Sequence, residues 1–436
     1  MHVMKILFIS NDLIGGNLAL LLKKEGHSVK LFIEDSGRHE NFDNLVTKTY
    51  SWKKELPWVG TDGLIVFDDV GYGEIQDDLR KKGYTVFGGS KGGDRLEQDR
   101  VFGQKMFKKY GIKTFPLRDF NSIKSAISFV KKNPKAWVIK QNNHHYSKAL
   151  NYVGEFDDGR DVLGMLYNYY HNKRVNDERI SLHEKIKGVE IGCGRYFNGI
   201  DWVGPIEINI EYPKFFPGDI GPMTSEMGTL AWYTDDEKNK LFQETIAKMK
   251  PYLQKVNFKG DFEINCIVNE TGAYALEATA RMGSPIIHLH SELNKSPWGE
   301  FLYAIAKGEQ YKLKWKRGYG MVVLLAVPPF PYTEKAQKNL LYGSYIYFDN
   351  LKPTDYKHVH FEEVSYNPGK KRYYISDTRG YIAYVTGVTS SVKNTQENVY
   401  KIIKNIYIPK MFYREDIGDS FSKGNKAKLK KWGFIK

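Results

Sequence analysis

At 436 residues, with 41% hydrophobic and 14% aromatic content, the chain is too long and too apolar to be disordered, and it holds core enough for several domains. Cys193 and Cys266 are its only cysteines and lie in apolar, strand-like contexts, which excludes a disulfide framework or a cysteine-built metal site and suits a reducing cytoplasm. Lys plus Arg exceed Asp plus Glu by 65 to 51, and this net charge of +14 favours anionic partners such as nucleotides, sugar phosphates or nucleic acid, although lysines spread over a solvated surface give the same total.

In chain order, Met4–Ser10 reads as a buried strand, followed by a loop with Gly15-Gly16, a helix over Leu18–Lys24 and a strand at Val29–Ile33. With a strand at Gly63–Phe67, a helix near Ile75–Lys82 and a strand at Thr85–Phe87, this predicts a small doubly wound parallel sheet covered by helices. Gly15 and Gly16 would let a phosphate approach the helix N-terminus, but the run is not GxGxxG. A helix then begins at Arg100 with Asp99 as N-cap and ends at Gly111. A cation in the first helical turn opposes the macrodipole, which marks Arg100 as a ligand contact or a solvated side chain.

Ala136–Lys140 reads as a strand ending in a lysine, with Lys148 across the loop Gln141–Ser147, and two such lysines could clamp nucleotide phosphates. His144 and His145 lack partners at ligand spacing and are read as loop residues. After a helix near Val162–Tyr170, the stretch 181–195 gives two strands around a hinge at Gly188, either a nucleotide hinge with Glu190 near the ribose or a plain hairpin. Pro217–Thr229 is a glycine-rich loop before a predicted helix at Asp235–Val256.

Phe262–Val268 and Tyr274–Ala278 form a hairpin across Asn269–Gly272, so Glu263 and Glu277 share one face, with Arg281 just beyond. Two carboxylates and an arginine there suit a magnesium–polyphosphate complex, and solvated glutamates on an edge hairpin are the alternative. A helix over Trp298–Ala306 leads to a strand-rich segment from Gly318, a helix at Thr395–Tyr407 and a basic tail, Lys423–Lys436, expected to be mobile. The longest apolar run, Met321–Val327, is too short to span a bilayer, and the N-terminus lacks the core and cleavage site of a signal peptide, so a soluble cytoplasmic protein is expected.

These blocks resemble the phosphoribosylamine–glycine ligase family of the ATP-grasp superfamily over nearly the whole chain. Phe87–Glu97 (FGGSKGGDRLE) is similar to the family's FGPxKxxAxLE, and Gly218–Gly228 (GDIGPMTSEMG) to GDxGPNTGGMG. Leu276–Pro285 (LEATARMGSP) is similar to LEFNxRxGDP, and Tyr413–Gly418 (YREDIG) to YRxDIG. The resemblance implies three units: an N-terminal α/β substrate domain (1–98), an ATP-grasp domain of two subdomains (99–317, its clamp about 113–187) and a strand-rich C-terminal domain (318–436).

It also implies roles, residue by residue. ATP phosphates fall to Arg100, Lys140 and Lys148, the adenine to the backbone of Glu184 and Ile186, and the ribose to Glu190. Magnesium (or manganese) falls to Glu263, Glu277 and Thr279, and catalysis to Arg281 and Lys148. Substrate binding falls to Gly15, Gly16 and Asn17 and to Asp219, Gly221, Pro222 and Thr224 of the signature loop.

The chain departs from the family at five places. Its first loop is Leu13–Ala19 instead of GGREHAL, its clamp loop has lost its glycines, Thr279 replaces an asparagine, Ser225-Glu226 replace Gly-Gly, and Ser284 replaces an aspartate. The implied activity is an ATP-dependent, ADP-forming carboxylate–amine ligase acting as a monomer or homodimer on small molecules, with glycine as the favoured carboxylate. The acceptor amine stays open, a nucleotide or nucleic-acid amine being the alternative, with a non-catalytic nucleotide-binding relative or a nicotinamide enzyme as rivals.

Overall fold

The computed structural model describes residues 3–141, 151–172, 180–332 and 341–436. The first strands, Lys5–Ser10, Ser28–Ile33 and Leu64–Phe67, are apolar on both faces, the pattern of a parallel sheet covered on each side by helices. They pair in parallel, with Thr47–Lys48 beyond Ser28–Ile33 at one edge and Val86–Phe87 beyond Leu64–Phe67 at the other. Chain order reverses between Lys5–Ser10 and Leu64–Phe67, so the crevice at their carboxyl ends is the switch point where open α/β sheets take ligands.

A helix not foreseen, Lys91–Gln98, starts at Ser90, whose hydroxyl accepts from the Gly93 N–H. The expected next helix spans Arg100–Lys109, with the Asp99 carboxylate accepting from Phe102 N, a cap worth about 1 kcal/mol. Leu117–Phe120, Ile180–Glu184, Trp137–Gln141 and Tyr152–Val153 form a four-stranded sheet backed by helices Ile123–Lys132 and Arg160–Asn172. It packs a core of its own around Ile127, Ile139, Val162, Leu166 and Leu182.

The strands on either side of Gly188 do not form a hairpin. Ile180–Glu184 ends in the four-stranded sheet, and Val189–Asn198 enters a nine-stranded sheet between Trp202–Glu211 and Lys259–Asn269. Residues 185–188 are therefore the crossing point between two sheets. The nine-stranded sheet runs on through Gly228–Thr234 to Tyr319–Ala326, Tyr381–Thr389 and Val359–Phe361, so hydrogen-bonded strands cross the sequence boundary at residue 318 without a break. Its other edge is Gly272–Thr279 followed by Lys113–Thr114.

Two expectations need correction. The long helix expected over Asp235–Val256 is broken into Lys240–Glu244, a turn at Ile246–Met249 and Lys250–Lys255, because Thr245 leaves helical geometry and Pro251 must open a new first turn. The basic tail is docked, not mobile: Leu429 and Phe434 are buried, Lys240 Nζ donates to Trp432 O at 2.9 Å, and Asn239 Nδ2 donates to Phe434 O at 3.2 Å. Among the described residues no helix is long and apolar enough to cross a membrane.

Candidate active site

The floor of the site is set by strand register. Glu263 lies opposite Thr279, and Asn265 opposite Glu277. Because alternate residues share a face, Glu263, Asn265, Glu277 and Thr279 all project from one surface. On the neighbouring strands Gly194 stands opposite Glu263 and Glu207, and Gly192 opposite Asn265 and Asn209. These two glycines make room for the acids: a Cβ on Gly192 would lie 2.2 Å from Glu263 Oε1, and one on Gly194 would lie 2.5 Å from Glu207 Oε2. Asn209 Nδ2 donates to Glu263 Oε1 at 2.7 Å, and Asn265 Nδ2 to Glu211 Oε1 at 3.0 Å.

Glu263 is buried and Glu277 exposed. Burial, then the charges of Glu207 and Glu211, push the Glu263 carboxyl well above the usual range. A divalent cation would reverse that penalty. The donors are hard oxygens, and Asn209 Oδ1 is buried without a hydrogen-bond partner among the described residues. Among the described residues no group of three His, Cys, Asp or Glu side chains is placed to hold a metal ion. The residues present thus fit Mg²⁺ (or Mn²⁺) carried in with a nucleotide.

Lys140, at the end of its strand, pairs in register with Ser181. Next to it His183 is lowered to about 4, first by burial, with the carbonyl of Glu184 opposing and the charges of Lys140 and Arg100 adding to the fall. Arg100 and Lys140 therefore share one neighbourhood although they come from different elements. Arg100 Nε is buried without a hydrogen-bond partner among the described residues, and an anion would satisfy it.

Glu190 is exposed on its strand yet pushed up to about 7, first by desolvation, then by Glu211 and Glu277, with Lys140 opposing and Asp219 adding. One field thus links Glu190, Glu277, Lys140 and Asp219, which the sequence spreads over 138 positions. Glu184 pairs with Lys135 at 3.1 Å, Lys185 N donates to Ala136 O at 2.8 Å, and Ile186 follows in the crossing segment. Lys148, His144, His145 and the loop 142–147 lie outside the described residues.

Arg281 is tied to the N-terminal unit. Its Nε lies 3.0 Å from Glu97 Oε1 and 3.2 Å from Asp69 Oδ1, while Glu97 Oε2 accepts from Ala280 N at 2.8 Å. Burial works against its charge, but Glu97 and Asp69 outweigh it and raise the guanidinium above its ordinary value.

The signature loop is an ordered two-stranded ribbon, Lys214–Phe216 with Ile220–Met223. Asp219 accepts from Arg414 Nη1 at 2.9 Å, the Gly221 carbonyl accepts from Lys214 Nζ at 3.3 Å, Pro222 lies in the second strand, and Thr224 is fixed to Pro213 O at 2.8 Å through N–H and hydroxyl. Arg414 is 1% exposed and also donates to Asp416 through Nε and Nη2, both at 2.7 Å. Two sequence blocks read separately, GDIGPMTSEMG and YREDIG, are one structure built around this arginine.

Gly15, Gly16 and Asn17 are put to another use. All three are buried: a Cβ on Gly15 would lie 2.5 Å from Phe8, and one on Gly16 would lie 2.6 Å from Phe42. Asn17 Nδ2 bonds His360 Nδ1 at 2.9 Å, and its Oδ1 accepts from Phe361 N at 3.0 Å, so the amide joins the first helix to a distant strand instead of facing a ligand.

Sequence reasoning missed Glu207, Asn209, Glu211 and Asn265. A signal was present: the alternation Glu-x-Asn-x-Glu inside the otherwise apolar Trp202–Glu211 marks a polar face within a buried sheet. Arg414 and Asp416 were noticed only as part of a motif, and the loop they hold was not legible from it.

Residues 98–286 match the family model of the phosphoribosylglycinamide synthetase ATP-grasp (A) domain. The chain carries an ATP-grasp domain of that type. Curated phosphoribosylamine–glycine ligases resemble it along most of their length: that of Caldanaerobacter subterraneus is 24% identical over 357 residues, covering 80% of this chain and 82% of the relative. That of Lactococcus lactis is 23% identical over 350 residues, covering 79% and 80%. Among solved structures, the phosphoribosylamine–glycine ligase of Thermotoga maritima superposes with a TM-score of 0.69 at 19% identity, covering 95% of this chain and all of that one. A biotin carboxylase from Campylobacter jejuni gives 0.65 at 12% identity, covering 99% and 98%. These superpositions show the shared fold. The ATP-grasp domain holds both the acidic floor and Arg281, and its register agrees with the face expected for Glu263 and Glu277.

Proposed function

We propose that this protein is an ATP-dependent, ADP-forming carboxylate–amine ligase of the phosphoribosylamine–glycine ligase type. The observation that carries this reading is the strand register that sets Glu263, Asn265, Glu277 and Thr279 on one face just before Arg281, within the residues that match the ATP-grasp domain model. Lys140 and Arg100 hold the phosphates from the clamp side, and the backbone at Glu184 and Ile186 borders the base, with Glu190 at the ribose. Glu263, Glu277 and Thr279 would hold Mg²⁺, which when bound neutralises phosphate charge and orients the terminal phosphoryl group.

A substrate carboxylate oxygen attacks the γ-phosphorus, ADP leaves, and an acyl phosphate results. The amine nitrogen then attacks the acyl carbon, phosphate departs, and the nitrogen loses a proton. Arg281 borders this point and is held charged by Glu97 and Asp69, so it stabilises negative charge on the tetrahedral intermediate. Glycine is the carboxylate in the name of the curated ligases this chain resembles, and we take it as the first candidate here.

The test is ADP release with ATP, magnesium and a panel of amino acids, using hydroxylamine as a general nucleophile to capture the acyl phosphate as a hydroxamate. Glycine-dependent hydroxamate is the expected result, and Glu277→Gln should abolish it. ADP formation unchanged in Glu277→Gln would remove the metal assignment, and no hydroxamate from any carboxylate would remove the ligase reading.

A further inference from the structure

The two strands that carry Glu263 and Glu277 do not keep one register along their length. From the turn, Gly272 pairs with Asn269, Ala273 with Val268, Tyr274 with Ile267 and Ala275 with Cys266. Continued one residue at a time, that pairing would set Leu276 opposite Asn265 and Glu277 opposite Ile264, which is fully buried in the core. Glu277 would then point away from Glu263, to the other side of the sheet.

Instead the register shifts. Glu277 pairs with Asn265, Ala278 with Ile264 and Thr279 with Glu263, and Leu276 is left as the extra residue of a β-bulge. The shared face of Glu263 and Glu277 depends on this bulge.

The bulge is held from outside the sheet. The next strand, Lys113–Thr114, pairs with Tyr274 and Ala275 and gives out just before Leu276. There the helix Arg100–Lys109 takes over. Gln104 Nε2 donates to Leu276 O at 2.8 Å and to Ala275 O at 3.2 Å, so one amide group ties two consecutive carbonyls at the bulge. Gln104 Oε1 is buried without a hydrogen-bond partner among the described residues, a cost that an apolar side chain of similar length would not carry, so the position uses the amide for its N–H donors. Further along the same open edge, Glu97 Oε2 accepts from Ala280 N at 2.8 Å.

Gln104 lies one helical turn after Arg100, on the same side of the helix. The helix to which we assign a phosphate contact at Arg100 therefore also grips the strand to which we assign a metal ligand at Glu277. Both hydrogen bonds of Gln104 go to backbone, so its reach into the site runs through Glu277.

We propose that Gln104 is a positioning residue: by holding the bulge at Leu276 it turns the Glu277 carboxylate from the core side to the acidic floor, and it ties the aim of that carboxylate to the helix that carries Arg100. The inference rests on the reading of Glu277 as a metal ligand, but its test does not use turnover.

Mn²⁺ is the probe, titrated into the full-length protein with saturating ADP, and free Mn²⁺ is read from its electron paramagnetic resonance signal. Gln104→Met keeps the length of the side chain and loses the donors, and it should weaken Mn²⁺ binding about tenfold, the scale that follows loss of a group orienting a metal ligand. Gln104→Ala should match it. Binding of ADP without metal, measured by calorimetry, should stay within about twofold of the parent in both variants. Added to Glu277→Gln, Gln104→Met should cost no further Mn²⁺ affinity, because both changes act through one carboxylate.

Mn²⁺ affinity within about twofold of the parent in both Gln104 variants, an equal loss for ADP alone, or additive losses in the double variant would each overturn the proposal. Glu277→Gln by itself tells the two failures apart. Mn²⁺ affinity unmoved there removes the metal reading and this inference with it, whereas affinity moved there and unmoved in the Gln104 variants removes this inference alone.

Discussion

Replacing Arg414 by alanine tests whether the signature ribbon is held in place by one buried side chain. The guanidinium donates to Asp416 twice at 2.7 Å, to Asp219 at 2.9 Å and to the Lys214 carbonyl at 2.9 Å, and it lies over the Tyr212 ring, 5.2 Å from its centroid. Burial tends to raise the Asp416 carboxyl, yet the Arg414 hydrogen bonds and the Gly218 N–H together hold it below the usual range. Without the arginine, Asp416 keeps its burial and loses most of what offsets it. Removing one partner of such a buried pair costs about 3–5 kcal/mol. At about 2 °C per kcal/mol for a large chain, a fall of roughly 6–10 °C in Tm is expected by scanning calorimetry.

The same substitution frees Gly218 and Asp219, whose left-handed backbone is otherwise fixed by these contacts. KM for the carboxylate or amine substrate should therefore rise about tenfold or more, while ATP affinity, set by the clamp and the acidic floor, stays within about twofold. Arg414→Lys keeps the charge without the bidentate geometry and should fall between. A variant that melts within about 1 °C of the parent and keeps its KM would refute the reasoning.

Arg100→Ala removes a buried nitrogen that has no partner among the described residues, so Tm should hold or rise while the Kd for ATP, measured by calorimetry, weakens about tenfold. Arg38→Met leaves Glu362, Glu363 and Asp377 without their shared cation and should cost about 3–5 kcal/mol at pH 7 in denaturant titrations. Burial already lifts Glu362 to about 7 against the pull of Arg38, so in the variant it rises further, and at pH 5 the protonated carboxyls should make the penalty smaller. Deleting residues 426–436 removes the buried Leu429 and Phe434, and the expected loss is about 4 kcal/mol or more in the same titrations. An unchanged midpoint would show that the docked tail contributes nothing.

Much of the local structure was legible because it rests on short-range chemistry. Asp99 caps its helix as its position before an apolar stripe implies, and the turn 269–272 closes the hairpin that alternation predicts. A period of two was enough to expect Glu263 and Glu277 on one face, so that part of the floor was legible in the sequence, while the bulge that turns Glu277 there and the strand pairing that adds Glu207, Asn209 and Glu211 were not. What each strand pairs with was not legible. Ile180–Glu184 and Val189–Asn198 read equally as strands around a hinge or as a hairpin, and long-range burial decides between the two by assigning them to different sheets, which makes residues 185–188 a crossing point.

Only the tertiary structure decided the rest. Asn17 and the glycines before it resemble a phosphate loop, but packing against Phe8, Phe42 and His360 turns them inward. Arg414 and Asp219 meet across 195 positions, and Asp68 reaches the helix start across 53. Local propensity and alternation act over a few residues, whereas charge and buried volume act through space. The sequence therefore determined that two acids stand on paired strands with an arginine just beyond, and the packed fold decided which loop is held in place by Arg414 and which strands complete the acidic face.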